Sequence, residues 1–275
     1  MKTLFINCEA GVAGDMLTAA LLEAACSSAP GGGIDYAKAE DFIERFHEAG
    51  IPGVEMRVSG AVKQGITGTR VRILVNGEEE GYGGALGHDH EHSHDHEHGH
   101  YHHHHHAHRS IKEVEEIING LALDDEVKSD VLSVYRLIAE AEGQVHGEPA
   151  GEVHFHEVGT MDAIADVTAV CMLMHEIAAD KIAASPVATG YGTVHCAHGV
   201  LPVPAPATAV LLQGMPSYAG DIEGELCTPT GAALVKHFAQ EYSQMPPMST
   251  EAIGCGLGTK EFAKATCLRV YLGES

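Results

Sequence analysis

Residues 3–8 form an apolar run of strand length, and a Gly-x-x-Gly turn follows them. The chain then reads as a helix to about residue 25. Residues 35–49 set Phe42, Ile43 and Phe46 on one side and stop at Gly50, the pattern of an amphipathic helix. Residues 54–75 alternate. Met56 and Val58 serve one strand, Val71, Ile73 and Val75 a second, with Gly65 as the turn between them. Ser110 with Glu113 is a capping box, and a longer helix follows over 124–144. Residues 153–157 suggest a strand, and Thr160 caps a helix running to about 177. Beyond it, 181–188 suggests a strand, 200–206 is proline-studded and extended, and 208–213 is a short helix. Thr228-Pro229 opens a helix to about 241, Thr as N-cap and Pro at the first position. Residues 265–272 close the chain as a strand.

This mixture predicts an α/β or α+β fold, a mixed sheet with packed helices. It is read as one domain over 1–275, interrupted at 76–109 by a low-complexity segment of glycine, glutamate and histidine. That composition cannot build a core, so the expectation is one long disordered His-rich loop.

Charge and composition narrow the partners. Lys plus Arg number 16 against 39 Asp plus Glu, a formal charge of −23 with histidine neutral. That excess argues against nucleic acid, which needs a basic footprint, and against an anionic membrane surface. There is no Trp, and aromatics are only 5%, so base-stacking platforms are not expected. No apolar run approaches the roughly 20 residues of a membrane span, and no secretory signal opens the chain. The seven cysteines form no C-x-x-C pair and read as free thiols in a reducing, cytoplasmic setting.

Histidine changes the picture. Of 21 in the chain, 13 lie between His88 and His108. His88, His90, His92, His94, His96, His98 and His100 alternate with Asp89, Glu91, Asp95 and Glu97 among the intervening residues. Imidazole suits nickel, copper, zinc and cobalt, and the carboxylates add attraction for any divalent cation. Overlapping sites on such a run fit capacity or delivery better than fixed geometry. The plainer alternative is a solvated spacer.

Four further constellations can carry chemistry. His154 and His156 in a strand would share one face, about 6.6 Å apart, close enough to converge on one metal. Asp162 and Asp166 lie four apart at the start of a helix that is apolar nearly all round. Asp162 is either a cap or a ligand; Asp166, one turn deeper, needs a partner that the histidine pair can supply. Gly11-x-x-Gly14-Asp15 is a glycine turn before a helix start, able to cradle an anion on backbone N–H groups with Asp15 beside it. It lacks the Lys-Ser/Thr of a Walker motif and the third glycine of a dinucleotide fingerprint. A tight turn with an acidic N-cap is the competing reading. His195-Cys196-Ala197-His198 precedes the stiff Pro202, Pro204, Pro206 segment, and Thr228, Thr230 and Gly231 form a second helix start rich in hydroxyls.

Four stretches taken in order resemble the nickel insertion protein (LarC) family: GVAGDM over 11–16, HFHEVGTMDAIAD over 154–166, HGVLPVPAPAT over 198–208 and GELCTPTGAA over 224–233. The resemblance covers nearly the whole chain. Asn7 stands where that family favours an acidic residue, and Cys255 where it favours an aromatic one.

The resemblance implies a nickel chelatase, a cyclometallase of the lyase class. It would place nickel in a pyridinium bisthiocarboxylate mononucleotide to make the nickel pincer cofactor of lactate racemase-type enzymes. It also implies coupling to CTP hydrolysis, with Mn2+ or Mg2+, and an apo-racemase as recipient. A C-terminal nucleotide-associated domain, absent here, would be a separate partner. On this reading Asp15, His154, His156 and Glu157 are candidate catalytic groups. Gly11, Gly14, Thr228, Thr230 and Gly231 would hold the mononucleotide. His154, His156, Asp162, Asp166 and His198 would ligate metal, with the histidine tract gathering nickel. Two other functions remain open: a nickel store or metallochaperone without catalysis, and a metal-dependent phosphohydrolase.

Overall fold

The computed structural model describes residues 1–27, 33–79 and 109–275. Its elements, in order, are β1 (Lys2–Asn7), α1 (Gly14–Ala25), α2 (Tyr36–Glu48), β2 (Val54–Lys63), β3 (Ile66–Val75) and β4 (Glu78–Glu79). Then come β5 (Arg109–Ser110), α3 (Ile111–Gly120), α4 (Asp125–His146), β6 (His154–Phe155) and α5 (Met161–Ile177). The last third holds β7 (Lys181–Ala184), β8 (Val187–Ala188), β9 (Thr193–Cys196), β10 (Gly199–Pro202), α6 (Pro206–Leu211) and β11 (Ser217–Tyr218). It closes with α7 (Pro229–Phe238), β12 (Glu241–Tyr242), β13 (Ser249–Gly256) and β14 (Leu268–Glu274).

The main sheet runs β12-β7-β1-β14-β13-β3-β2, with β4 beside β3. It is mixed: β1 pairs parallel with β7 and antiparallel with β14, while β13 runs antiparallel to β14 and meets β3 in parallel. The expected mixed sheet with packed helices is what the chain forms. Helix α1 lies on β13, β14 and β3 and against α5. Helix α5 is buried nearly all round, with Val167, Ala169, Val170, Cys171 and Leu173 fully enclosed between α1 and α4. Each such Val or Leu contributes about 1.5–3 kcal/mol relative to exposure.

Several local readings need correction. The strand expected over 153–157 is only β6, because the chain bends away after Phe155. The strand expected over 181–188 splits into β7 and β8 at Ser185-Pro186. Proline removes a ladder donor there. The helix from Thr228 ends at Phe238, and 241–242 instead form β12. Strands β9 and β13 carry no clear alternation and were not expected. The span 76–109 is bounded by paired residues, Glu78–Glu79 against β3 and Arg109 against Phe155. Residues 80–108 lie outside the described residues.

The cysteines are also corrected. Cys255 and Cys267 are disulfide-bonded, with Cα atoms 5.9 Å apart across the β13–β14 connection. The other five are free, and all but Cys196 are buried.

Candidate functional site

Two glycine-cornered helix starts are stitched together. Val12 and Cys227 form a parallel bridge, with Val12 donating to the Leu226 carbonyl at 2.9 Å and Thr228 donating to the Val12 carbonyl at 3.1 Å. A Cβ on Gly11 would lie 2.2 Å from the Leu226 oxygen, and one on Gly231 would lie 2.3 Å from the Val12 oxygen. Those approaches require glycine on both sides. The Thr228 hydroxyl caps α7 by accepting from Gly231, and it contacts the Thr230 hydroxyl at 3.1 Å. Gly11, Gly14, Thr228, Thr230 and Gly231, two separate helix starts in the sequence, thus lie in one neighbourhood.

Asp15 and Asp166 meet beside it. Ala13 is the N-cap of α1, so Asp15 is a first-turn residue and not the cap. Its carboxylate accepts from the Met16 N–H at 2.8 Å and from the Thr259 N–H. Burial raises its pKa, against the opposing fields of Lys260 and Lys63. Asp166 lies on the first turn of α1, where a Cβ on Gly14 would come 2.6 Å from its Oδ2. Thr160, not Asp162, caps α5, leaving Asp162 in the first turn and close enough for its charge to act on Asp166.

Lysines link this acid corner to a second cluster. Lys63, only 4% exposed, donates to the Lys260 carbonyl, and burial lowers its pKa. Lys260 in turn pairs with buried Glu225 at 3.1 Å. The charge of Glu157 acts on Glu225. Glu157 accepts the Ala197 N–H at 3.1 Å, which ties the tip of the β9–β10 hairpin to the bend after β6.

At that tip three imidazoles gather. Ring centroids are 4.3 Å apart for His156 and His198, 5.1 Å for His146 and His198, and 6.3 Å for His146 and His156. His146 ends α4, where Gly147 turns left-handed, and it meets Glu142 at 3.5 Å. Glu142 is pushed upward by burial and held back by His146 and His198.

The predicted His/Asp set is therefore divided. His156 and His198 come together with His146, and Asp162 and Asp166 come together with Asp15. His154 joins neither: it pairs with Ser110 and places its charge near Glu113. The tract His88 to His100 lies outside the described residues. Among the described residues, no three or more His, Cys, Asp or Glu side chains close around one ion.

Sequence reasoning missed His146, whose only local signal is a histidine before a helix-ending glycine. It also missed a knot in which Asp130 joins His175 at 2.7 Å and His237 at 2.8 Å. A depression of about 430 Å³ beside that knot is lined by Asp125, Glu126, Ser129, Asp130 and His175, none of which belongs to either corner. Among the described residues no helix is long and apolar enough to cross a membrane.

The family model described as nickel insertion protein matches residues 4–275. A pyridinium-3,5-bisthiocarboxylic acid mononucleotide nickel insertion protein of Clostridium kluyveri is 39% identical over 279 residues, covering all of this chain and 62% of that protein. Its counterpart in Clostridium acetobutylicum is 40% identical over 281 residues, covering all of this chain and 64% of that protein. A putative nickel insertion protein of Dictyoglomus thermophilum is 34% identical, with 61% of its length covered. The chain thus spans about three fifths of the curated relatives it matches. No solved structure matches it.

Proposed function

The chain belongs to the nickel insertion protein family, and from that premise we propose that it inserts nickel into a pyridinium bisthiocarboxylate mononucleotide. The observation that carries this reading is the gathering of His146, His156 and His198 where a helix end, a bend and a hairpin tip meet. Nickel is the cargo. Imidazole is a suitable borderline donor for it, and Glu142 behind His146 fixes a ring in the way a carboxylate orients a metal-binding histidine. Movement of the hairpin tip would bring the three rings onto one ion. The tract at 88–108 gathers nickel, and Glu157 holds His198 in place. Gly11, Gly14, Thr228, Thr230 and Gly231 receive the mononucleotide, with its phosphate toward a helix start.

The finer reading extends the family resemblance. Insertion is a lyase-class cyclometallation coupled to CTP hydrolysis with Mn2+ or Mg2+. The recipient is an apo-racemase of the lactate racemase type, the location cytoplasmic, and a separate C-terminal domain completes the reaction.

The test is nickel transfer. The chain is mixed with acceptor, nickel, manganese and CTP, with and without the relatives' remaining portion, and an apo-racemase reports cofactor formation. Activation in either mixture is the expected result. Inactivity in both, with nickel binding intact, would replace insertion by storage. Removing 88–108 should preserve transfer at saturating nickel and weaken it at scarce nickel; loss at both would also favour a store.

A further inference from the structure

The acid corner holds a group that nickel handling leaves unused. Asp166 is 8% exposed. Its Oδ1 is sealed from solvent and has no hydrogen-bond partner among the described residues. Burial drives its carboxyl well above the ordinary range, and the charges of Asp162 and Asp15 drive it further. Only the Asp15 N–H opposes them. A buried carboxylate with one oxygen unpartnered, beside two other acids, is a costly arrangement unless something positive sits with it.

The backbone holds the arrangement in place. Gly14 leaves room for Asp166 on the first turn of α1, and Met16 and Thr259 pin Asp15. Lys63 bonds the Lys260 carbonyl and Lys260 bonds Glu225, and their charges act on Asp15 but not on Asp166. The charges acting on Asp166 are both negative.

We propose that Asp166 and Asp15 hold a hard divalent cation, magnesium or manganese, whose remaining positions are taken by water and by the phosphate of a bound mononucleotide. Hard oxygen donors select such ions over nickel, so the acid corner and the histidine corner sort two metals by donor type. Magnesium commonly binds through one or two carboxylates plus substrate phosphate and keeps several waters. Asp162 adds negative charge from α5, and Lys63 and Lys260 stand by Asp15 to meet the same phosphate. The cation rests on these residues alone; the phosphate clause rests on the acceptor reading above.

Magnesium is the probe, because imidazole is a poor ligand for it and the histidines stay silent. The full chain is stripped with chelator and titrated by calorimetry and by its unfolding midpoint. The expected result is one saturable magnesium site in the parent and in His156→Ala, weakened at least tenfold in Asp166→Asn. Metal-free Asp166→Asn should unfold at or above the parent midpoint, since a buried carboxyl next to two other acids is gone. An equal magnesium response in parent and Asp166→Asn, or none in either, overturns the site and leaves a shared proton as its occupant. If Asp166→Asn does not fold, Asp15→Asn serves: loss of magnesium supports the site, and retention overturns it. Nicotinic acid mononucleotide then tests the phosphate. It should bind at least tenfold tighter with magnesium present. Magnesium binding without that coupling overturns the phosphate clause alone, and nickel binding, lost or kept in His156→Ala, reports separately on the histidine corner.

Discussion

The acid corner and the histidine corner are built by opposite means. Asp15 and Asp166 sit where backbones touch. β13 presents Gly254 and Gly256 to α1, and a Cβ at either would fall 1.8 Å from the Ala20 or Met16 carbonyl oxygen. The three histidines instead hang from a helix end, a bend and a hairpin tip, with a Glu157–Ala197 hydrogen bond tying the tip to the bend. The hairpin carries little packing: Val200 is 57% exposed. One corner is fixed by packing; on the proposed reading the other closes on an ion and lets it go. That difference suits holding an acceptor still while a metal is passed to it.

The largest effect should come from filling the glycine contacts. Gly254→Ala forces α1 off the sheet and should lower stability by about 3 kcal/mol, the upper end of ordinary overpacking. Denaturant unfolding measures it. A loss below about 1 kcal/mol would mean that α1 has room to move and that the acid corner is not rigid.

The histidine corner should respond the other way. His156→Ala removes one of three gathered imidazoles, and nickel affinity at this site should fall about 100-fold, or roughly 2.8 kcal/mol at 1.4 kcal/mol per decade. Stability should change by less than about 0.5 kcal/mol, as for a surface position. Competition against a chelator separates this site from the weaker, overlapping tract. A large loss of stability with unchanged affinity would reverse the contrast between the corners.

The two corners share a frame, and Asp130 clamps it. Asp130 sits early in α4, while His175 and His237 occupy the last turns of α5 and α7, so one carboxylate ties three helices. Asp130→Asn should cost about 1.5 kcal/mol through two weakened, half-exposed hydrogen bonds. Both corners should then lose their ligands together, since α4 carries His146 and α5 carries Asp166. If only nickel binding changed, the clamp would belong to the histidine corner.

How much of this was legible follows from the same contrast. The glycine turn, the Thr160 and Thr228 caps and the Ser110 box are local signals, and all appear where the pattern puts them. β13 was illegible because its glycines serve α1, a partner more than 200 residues away, and read locally as loop. A five-residue strand over 153–157 would set His154 and His156 on one face. The strand stops at Phe155, whose burial against Tyr135 turns the chain. His146 has no motif of its own, and only the fold brings α4's last turn to the hairpin tip. The disulfide joins cysteines 12 apart that no spacing rule pairs.

The smallest effect sharpens the comparison most. Glu157 was read as catalytic, and here it accepts the Ala197 N–H beside His156 and His198. If the histidine corner is held by that one bond, Glu157→Ala should release the hairpin and weaken nickel binding about fivefold, the worth of a hydrogen bond near 1 kcal/mol. Stability should stay unchanged, because β9 and β10 bury little. Glu157→Gln keeps an acceptor oxygen in the same place and should restore most of the affinity. A carboxylate needed for proton transfer would give the other pattern: nickel affinity kept in both variants, insertion lost in both. Measuring affinity and transfer on the same two proteins therefore separates a residue that positions the histidines from one that takes part in the chemistry.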